Sequence, residues 1–200
     1  PAWAQLRIEI TGVGANQMPI AIPRFQGTNN APLDIASVVT ADLERSGVFR
    51  AIKIQGELTA EDMKTPRAQF WRTMGASYLV IGSVEKLTET RYAVDYRLFG
   101  TTEDKIIDQK EFVVNQADLR LTAHRIADSI YEKLTGEGGI FASRLAYVLQ
   151  RGQNSYELVV SDSDGENPQT ALQSTQSIIS PMWSPDGMLL TYVSFEANKP

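Results

Sequence analysis

The sequence predicts two folds in tandem: an α/β domain with a mixed sheet, two long helices and one short helix, followed by the start of an all-β propeller. Three observations carry this reading. Over the first 136 residues, apolar positions switch repeatedly between period two and a three-to-four-residue period, the signature of strands alternating with helices. Gly136-Glu137-Gly138-Gly139 then forms the glycine-rich stretch long enough for a hinge. Beyond it no helical period is found, and short apolar runs are separated by turn-forming residues, with one run recurring 45 residues later.

Taken in order, residues 6–11 place Leu6, Ile8 and Ile10 on one face and Arg7, Glu9 and Thr11 on the other, a half-exposed strand ended by Gly12 and Gly14. Ile20-Ala21-Ile22 lies between Pro19 and Pro23, which cannot donate ladder hydrogen bonds, so this strand should be short. Residues 26–31 read as a loop. Pro32 suits the first turn of a helix over 32–46, with Leu33, Ala36, Val39 and Leu43 at helical spacing and Gly47 as the stop. A strand follows over 48–54. Thr65-Pro66 then opens a short helix carrying Phe70, Trp71 and Met74 to a stop at Gly75. Strands over 78–85, 92–99 and 106–114, joined by polar turns, form an antiparallel meander whose middle member alternates Tyr92, Val94, Tyr96 and Leu98 against Ala93, Asp95 and Arg97. Asn115 is the expected N-cap of a long helix with the stripe Leu119, Ala123, Ile126, Ile130 and Leu134, closing at Gly136. The order is ββαβαβββα.

After the glycines, strands are expected over 145–149, 156–161, 169–172 and 189–195, with turns at Arg151-Gly152-Gln153-Asn154, Asp162-Ser163-Asp164-Gly165 and Ser184-Pro185-Asp186-Gly187. Leu145-Ala146-Tyr147-Val148 recurs as Leu190-Thr191-Tyr192-Val193, an offset of 45 residues, which is a blade length. Trp183 should be buried between blades while Pro-Asp-Gly makes the tight turn before the repeated strand. The divisions are therefore 1–4, 5–16, an α/β domain over 17–136, a hinge over 137–142, and a first blade with the start of a second over 143–200.

Composition removes several functions. With 19 Lys+Arg against 24 Asp+Glu, a formal charge of -5 and no cysteine, the chain lacks the basic field of a nucleic-acid binder, a thiolate metal site and a disulfide framework. No apolar run approaches the roughly 18 residues of a membrane span. Ala2-Trp3-Ala4 has the small-residue pattern that ends a secretory signal, so residues 1–4 read as its remnant and Gln5 as the mature start.

The sites that chemistry would need do not assemble. Gly12-Val13-Gly14 has Gln17 where a dinucleotide fingerprint needs its third glycine, and Met18-Pro19 follows instead of a helix. Asp162-Ser163-Asp164-Gly165 lacks the glutamate of a calcium loop and reads as a hairpin turn. The single histidine, His124, is expected at a helix boundary bonded to Asp128, with Arg120 nearby, where its removal would cost no more than about 1 kcal/mol. Phe70, Trp71, Tyr92 and Tyr96 fit core packing better than base stacking. No catalytic residue, cofactor or metal is assigned. What remains is binding through surfaces.

Several stretches together carry a resemblance: Gln5-Leu6-Arg7-Ile8-Glu9-Ile10, the helix end Ile130-Tyr131-Glu132-Lys133-Leu134-Thr135-Gly136, Ser143-Arg144-Leu145-Ala146-Tyr147-Val148, and Ser180-Pro181-Met182-Trp183-Ser184-Pro185-Asp186-Gly187. From Gln5 onward the chain resembles the TolB family, periplasmic components of the Tol-Pal cell-envelope system of Gram-negative bacteria. The resemblance implies a non-enzymatic adaptor without cofactor, with an α/β domain and a six-bladed propeller of which only the beginning is present. It implies that the N-terminal segment docks on TolA, that the propeller binds Pal and is exploited by colicins, and that the protein supports outer-membrane integrity and constriction at division. By position the TolA segment is Gln5, Leu6, Arg7, Ile8, Glu9, Ile10, Thr11, Gly12, Val13, Gly14, Ala15 and Asn16. The 11–15 stretch is less acidic than in family members. A segment with this polar alternation can pair with its own domain or with another sheet at similar cost, so it suits a switch.

Two other classes fit the residues less well. An exported propeller hydrolase would carry a Ser, Asp and His set beyond residue 200, and a nucleic-acid module would rest on fold analogy alone.

Overall fold

A computed structural model of the chain describes residues 17–54, 61 and 64–196. The expected strand over 6–11 lies outside them. Contacts divide the chain into two compact units, with the division between Gly139 and Ile140.

The first unit is a five-stranded mixed sheet of order β2-β1-β3-β4-β5, in which β1 is Met18–Ala21, β2 Phe49–Ala51, β3 Tyr78–Lys86, β4 Arg91–Gly100 and β5 Lys105–Asn115. β1 runs parallel to β2 and β3, and β3, β4 and β5 form the expected antiparallel meander. Pro19 sits inside the short interior strand β1, where it serves as an acceptor: its carbonyl takes the Ser77 N–H at 2.9 Å, while Met18 and Ile52 supply the neighbouring donors. β2 is shorter than the 48–54 run suggests.

Helix α1 (Ile35–Arg45) starts three residues later than Pro32 implies, because Asp34 takes the cap: its Oδ1 accepts from Ser37 N at 3.3 Å. Helix α2 (Ala68–Thr73) buries Trp71 but leaves Phe70 exposed, which corrects the expectation that both aromatics are core. Helix α3 (Leu119–Thr135) is preceded by a 3-10 turn at Gln116–Asp118, so Asn115 caps that turn and Asp118 occupies the α-helical cap position. Gly136, at φ 79, closes α3 as expected.

Sheet alternation sorts the helices onto two faces. Tyr92, Val94, Tyr96 and Leu98 of β4 are buried with Val80 and Val84 on the side of α1 and α3, which pack on each other through residues such as Val39, Leu43, Ala123 and Ile126. Leu79, Ile81 and Phe99 point the other way, into a cluster with Trp71, Ala68 and Ala21 under α2. Each fully buried Leu, Ile or Phe stabilises the fold by about 1.5–3 kcal/mol.

The second unit is all β. A three-stranded antiparallel sheet, β6 (Arg144–Gly152), β7 (Ser155–Asp162) and β8 (Gln169–Ser174), is followed by a two-stranded one, β9 (Ile178–Trp183) and β10 (Leu190–Ser194). Leu158, Val159 and Ile178 are its most buried apolar residues. The repeated tetrapeptides fall on β6 and β10. β9 is a strand that sequence patterning does not reveal, because Ser180, at φ 53, and Pro181 interrupt the alternation where the β9–β10 register shifts. Trp183 is half-buried rather than enclosed, with the Arg144 guanidinium 5.0 Å from its ring centroid.

Candidate functional site

The residues predicted to bind a partner, Gln5 through Asn16, lie outside the described residues. Directly after them Gln17 is anchored, its Nε2 donating to the Gly47 carbonyl at 3.1 Å before β1 begins at Met18. The segment thus precedes β1, an interior strand of the sheet.

At the C-terminal ends of β1 and β2 a groove of about 660 Å³ is lined by Ile22, Phe25, Ile52 and Ile54 on its apolar side and by Arg24, Thr40, Glu44 and Lys53 on its polar side. This end of a parallel pair is the usual ligand position in open α/β sheets. Two of its charges are engaged: Arg24 lies 3.6 Å from Asp34, and Glu44 Oε1 accepts from the Ala51 N–H at 3.3 Å, covering a backbone donor beside the sheet edge. The short 20–22 run gave no sign of this groove.

The buried ionisable cluster of the first unit joins α1 to α3. His124 Nδ1 lies 2.6 Å from Asp42 Oδ2, and Arg45 Nη1 donates to Asp42 Oδ1 at 2.9 Å. At Nδ1 the partner is therefore Asp42, not the Asp128 expected, and His124 is 1% exposed rather than a boundary residue. A His–Asp pair is one part of a hydrolase relay, but a pair so buried offers no access to a substrate, and its chemistry is that of a clamp between helices. The signal that could have found it is Asp42, which stands on the apolar stripe of α1 beside Val38, Val39 and Leu43.

A second polar cluster ties α3 to the sheet. Tyr96 Oη donates to Asp108 Oδ2 at 2.5 Å, Ser129 Oγ donates to the same oxygen at 3.2 Å, and Lys110 donates to Ser129. Burial, with the adjoining Asp108 carboxylate, pushes the Tyr96 hydroxyl far above the ordinary phenol range. Neutral Tyr96 is a fixed donor, suited to structure.

In the second unit Asp162-Ser163-Asp164-Gly165 forms the expected hairpin turn, with Gly165 N donating to the Asp162 carbonyl at 3.0 Å. Ser184-Pro185-Asp186-Gly187 forms another, in which Ser184 Oγ and Met188 N both donate to Asp186 Oδ1 and hold its carboxyl below the ordinary range. Apolar side chains stay exposed around it, among them Met182, Met188 and Leu189.

Comparison with known proteins places these features in context. The model of the TolB amino-terminal domain matches residues 6–107, and that of the TolB beta propeller domain matches residues 131–200. Among curated relatives, the Tol-Pal system protein TolB of Albidiferax ferrireducens is 49% identical over 200 residues, covering 100% of this chain and 47% of its own length. That of Bordetella pertussis is 48% identical over 200 residues, covering 100% and 45%. The chain spans about half the length of the curated relatives it matches. The crystal structure of TolB from Acinetobacter baumannii superposes with a TM-score of 0.80 at 33% identity, over 92% of this chain and 45% of that one.

Proposed function

The chain belongs to the TolB family, and from that premise we propose that the protein is a non-enzymatic periplasmic adaptor of the Tol-Pal cell-envelope system. In this reading residues 5–16 form a releasable segment for TolA, the α/β domain over 17–136 holds its base, and the propeller, joined through 137–142 and begun at residue 143, engages Pal and is available to colicins. Coupling of the two partners supports outer-membrane integrity and envelope constriction at division.

The observation that carries this is the arrangement of the match: both TolB domain types follow one another along a single chain, with the 5–16 segment placed ahead of the first described strand. The polar clusters support a binding role over a catalytic one. Asp42–His124 is buried, and Tyr96–Asp108–Ser129 is saturated with internal hydrogen bonds.

Calorimetric titration of the full-length protein with the TolA C-terminal domain tests the reading. Deletion of residues 5–16 is expected to abolish TolA binding while cooperative melting and Pal binding persist, and Ile8→Asp, which puts a charge on the apolar face, to weaken TolA binding strongly. Undiminished affinity of the deletion variant would place the TolA site elsewhere.

A further inference from the structure

Strand β5 is the outermost member of the first sheet: among the described residues it pairs with β4 on one side and with no strand on the other. Gln116 N donates to the Thr90 carbonyl at 2.8 Å, and with Arg91 opposite Asn115 this turns the backbone groups of the even-numbered residues toward β4 and those of Glu111, Val113 and Asn115 outward. Toward Lys105 the strand is irregular, because the pairing shifts between Leu98 and Phe99. Over 109–115 the register is unbroken, with Val113 49% exposed on one face and Phe112 and Val114 half-buried on the other. Charge along this stretch is left unmatched. Glu111 stands opposite Asp95 of β4, a like charge. At the Asn115 end a recess of about 570 Å³ is lined by Val113, Val114 and Leu121 and by the charges of Arg91, Arg125 and Asp118, and neither guanidinium has an ion-pair partner among the described residues.

We propose that the 111–115 edge of β5 is an interaction surface for a second copy of this chain, the two β5 strands pairing antiparallel about a two-fold axis at Val113. The edge is self-complementary in that register. A two-fold pair centred on Lys110 or on Glu111 sets like charges face to face, and one centred on Phe112 sets Glu111 against Val113 and Lys110 against Val114. Centred on Val113, the pair joins Val113 to Val113, Phe112 to Val114 and Glu111 to Asn115. Asn115 has Arg91 as its cross-strand neighbour on β4, so each Glu111 carboxylate is carried away from Asp95 and toward a free guanidinium of the other copy, twice by symmetry. Each Phe112 is likewise brought over the Val114 and Leu121 side of the other copy's recess. Lys110 and Glu111 guard the strand against arbitrary partners, and this register avoids the clash they impose. About five paired residues a side bury little surface, so association is weak and follows protein concentration. This inference is independent of the adaptor role.

Sedimentation equilibrium and disulfide trapping of the full-length protein test it. The average mass should rise toward that of a dimer as concentration increases about a hundredfold. Residues 1–200 contain no cysteine, so Val113→Cys introduces a thiol whose symmetry mate lies directly across the axis, and mild oxidation should join two copies at position 113. Gln109→Cys, on the same face but with its mate more than about 20 Å away, should cross-link at least about tenfold less. Glu111→Arg and Arg91→Glu should each weaken the dimer by about tenfold, and the two changes combined should restore it, which keeps the test decisive if a cysteine variant folds poorly. Four results would overturn the proposal: a monomer at every concentration, cross-linking as efficient at position 109 as at 113, a double charge exchange that fails to restore the dimer, or dimerisation that disappears on deletion of residues 5–16, which would place the contact in that segment.

Discussion

A polar residue on an apolar helix face has to bring a partner with it, and Asp42 shows how far that requirement reaches. At 0% exposed, its carboxylate is stabilised by Arg45 one turn along α1 and by His124 from α3, more than eighty residues away. The two helices are therefore joined by a hydrogen-bonded pair in which either member, left alone, is a buried polar group with one fewer partner. His124→Ala should cost about 2–4 kcal/mol in urea denaturation, well above the figure for a surface histidine. Asp42→Ala combined with it should cost clearly less than the sum of the two single changes, because both remove one interaction. Tyr96 offers a second reading at this scale. Its hydroxyl titrates higher in the folded protein than the ordinary value near 10, so stability linked to it is complete below that pH and is lost as pH rises above it, when the unfolded chain releases the proton first. Ultraviolet titration should find a tyrosine that ionises only as the protein unfolds in alkali, and Tyr96→Phe should remove that step.

Elements formed where sequence periodicity and backbone chemistry agree. β4 buries Tyr92, Val94, Tyr96 and Leu98 in the alternation read from the sequence, and α3 ends at Gly136, so the meander and the end of the long helix were legible. Helix starts were less so. Pro32 satisfies the preference for a first turn, but Asp34 can accept a backbone hydrogen bond, and the local donor decided the boundary. β9 was hidden because a bulge at Ser180 and Pro181 breaks the period of two that patterning relies on. The proposed partner-binding segment rests on family resemblance alone, since three apolar side chains in 6–11 say strand but not whose. The groove at the ends of β1 and β2 depends on how loops after two short strands meet, which no local period encodes. Trp183 falls between these cases: its turn was correctly read, its burial overestimated. With its ring half-buried beside Arg144, Trp183→Ala should cost about 2 kcal/mol by thermal denaturation, roughly half of what a fully enclosed tryptophan would, and Trp71→Ala, in the cluster under α2, should cost the larger 3–5 kcal/mol.

At the scale of the whole molecule, the stretch read as a hinge over 137–142 is held more tightly than its glycines suggest. Glu137 N donates to Thr135 Oγ1 at 3.1 Å, so the chain after the helix cap is still tied to α3. Gly139 then passes so close to α3 that an added Cβ would meet the Asp128 Cα at 2.6 Å and its Oδ1 at 2.3 Å. From the other side, the Phe141 carbonyl accepts from Ser163 Oγ at 2.6 Å, which fastens that residue to the β7–β8 turn. Between them stands Ile140, 75% exposed. The glycines at 138 and 139 consequently play different parts: Gly138 has open space around it and a backbone that other residues adopt, whereas Gly139 is a contact that only the absence of a side chain permits. Gly138→Ala should change the melting temperature little, within the range of about ±0.5 kcal/mol for a neutral surface change. Gly139→Ala should destabilise the first unit by about 1–3 kcal/mol, since the neighbour it strikes is helix backbone and cannot swing aside. Differential scanning calorimetry, with limited proteolysis to show whether cleavage concentrates at Ile140, checks both. Equal effects of the two substitutions would mean that the whole 137–142 stretch is a uniform flexible link and that the contact with Asp128 contributes nothing to its geometry.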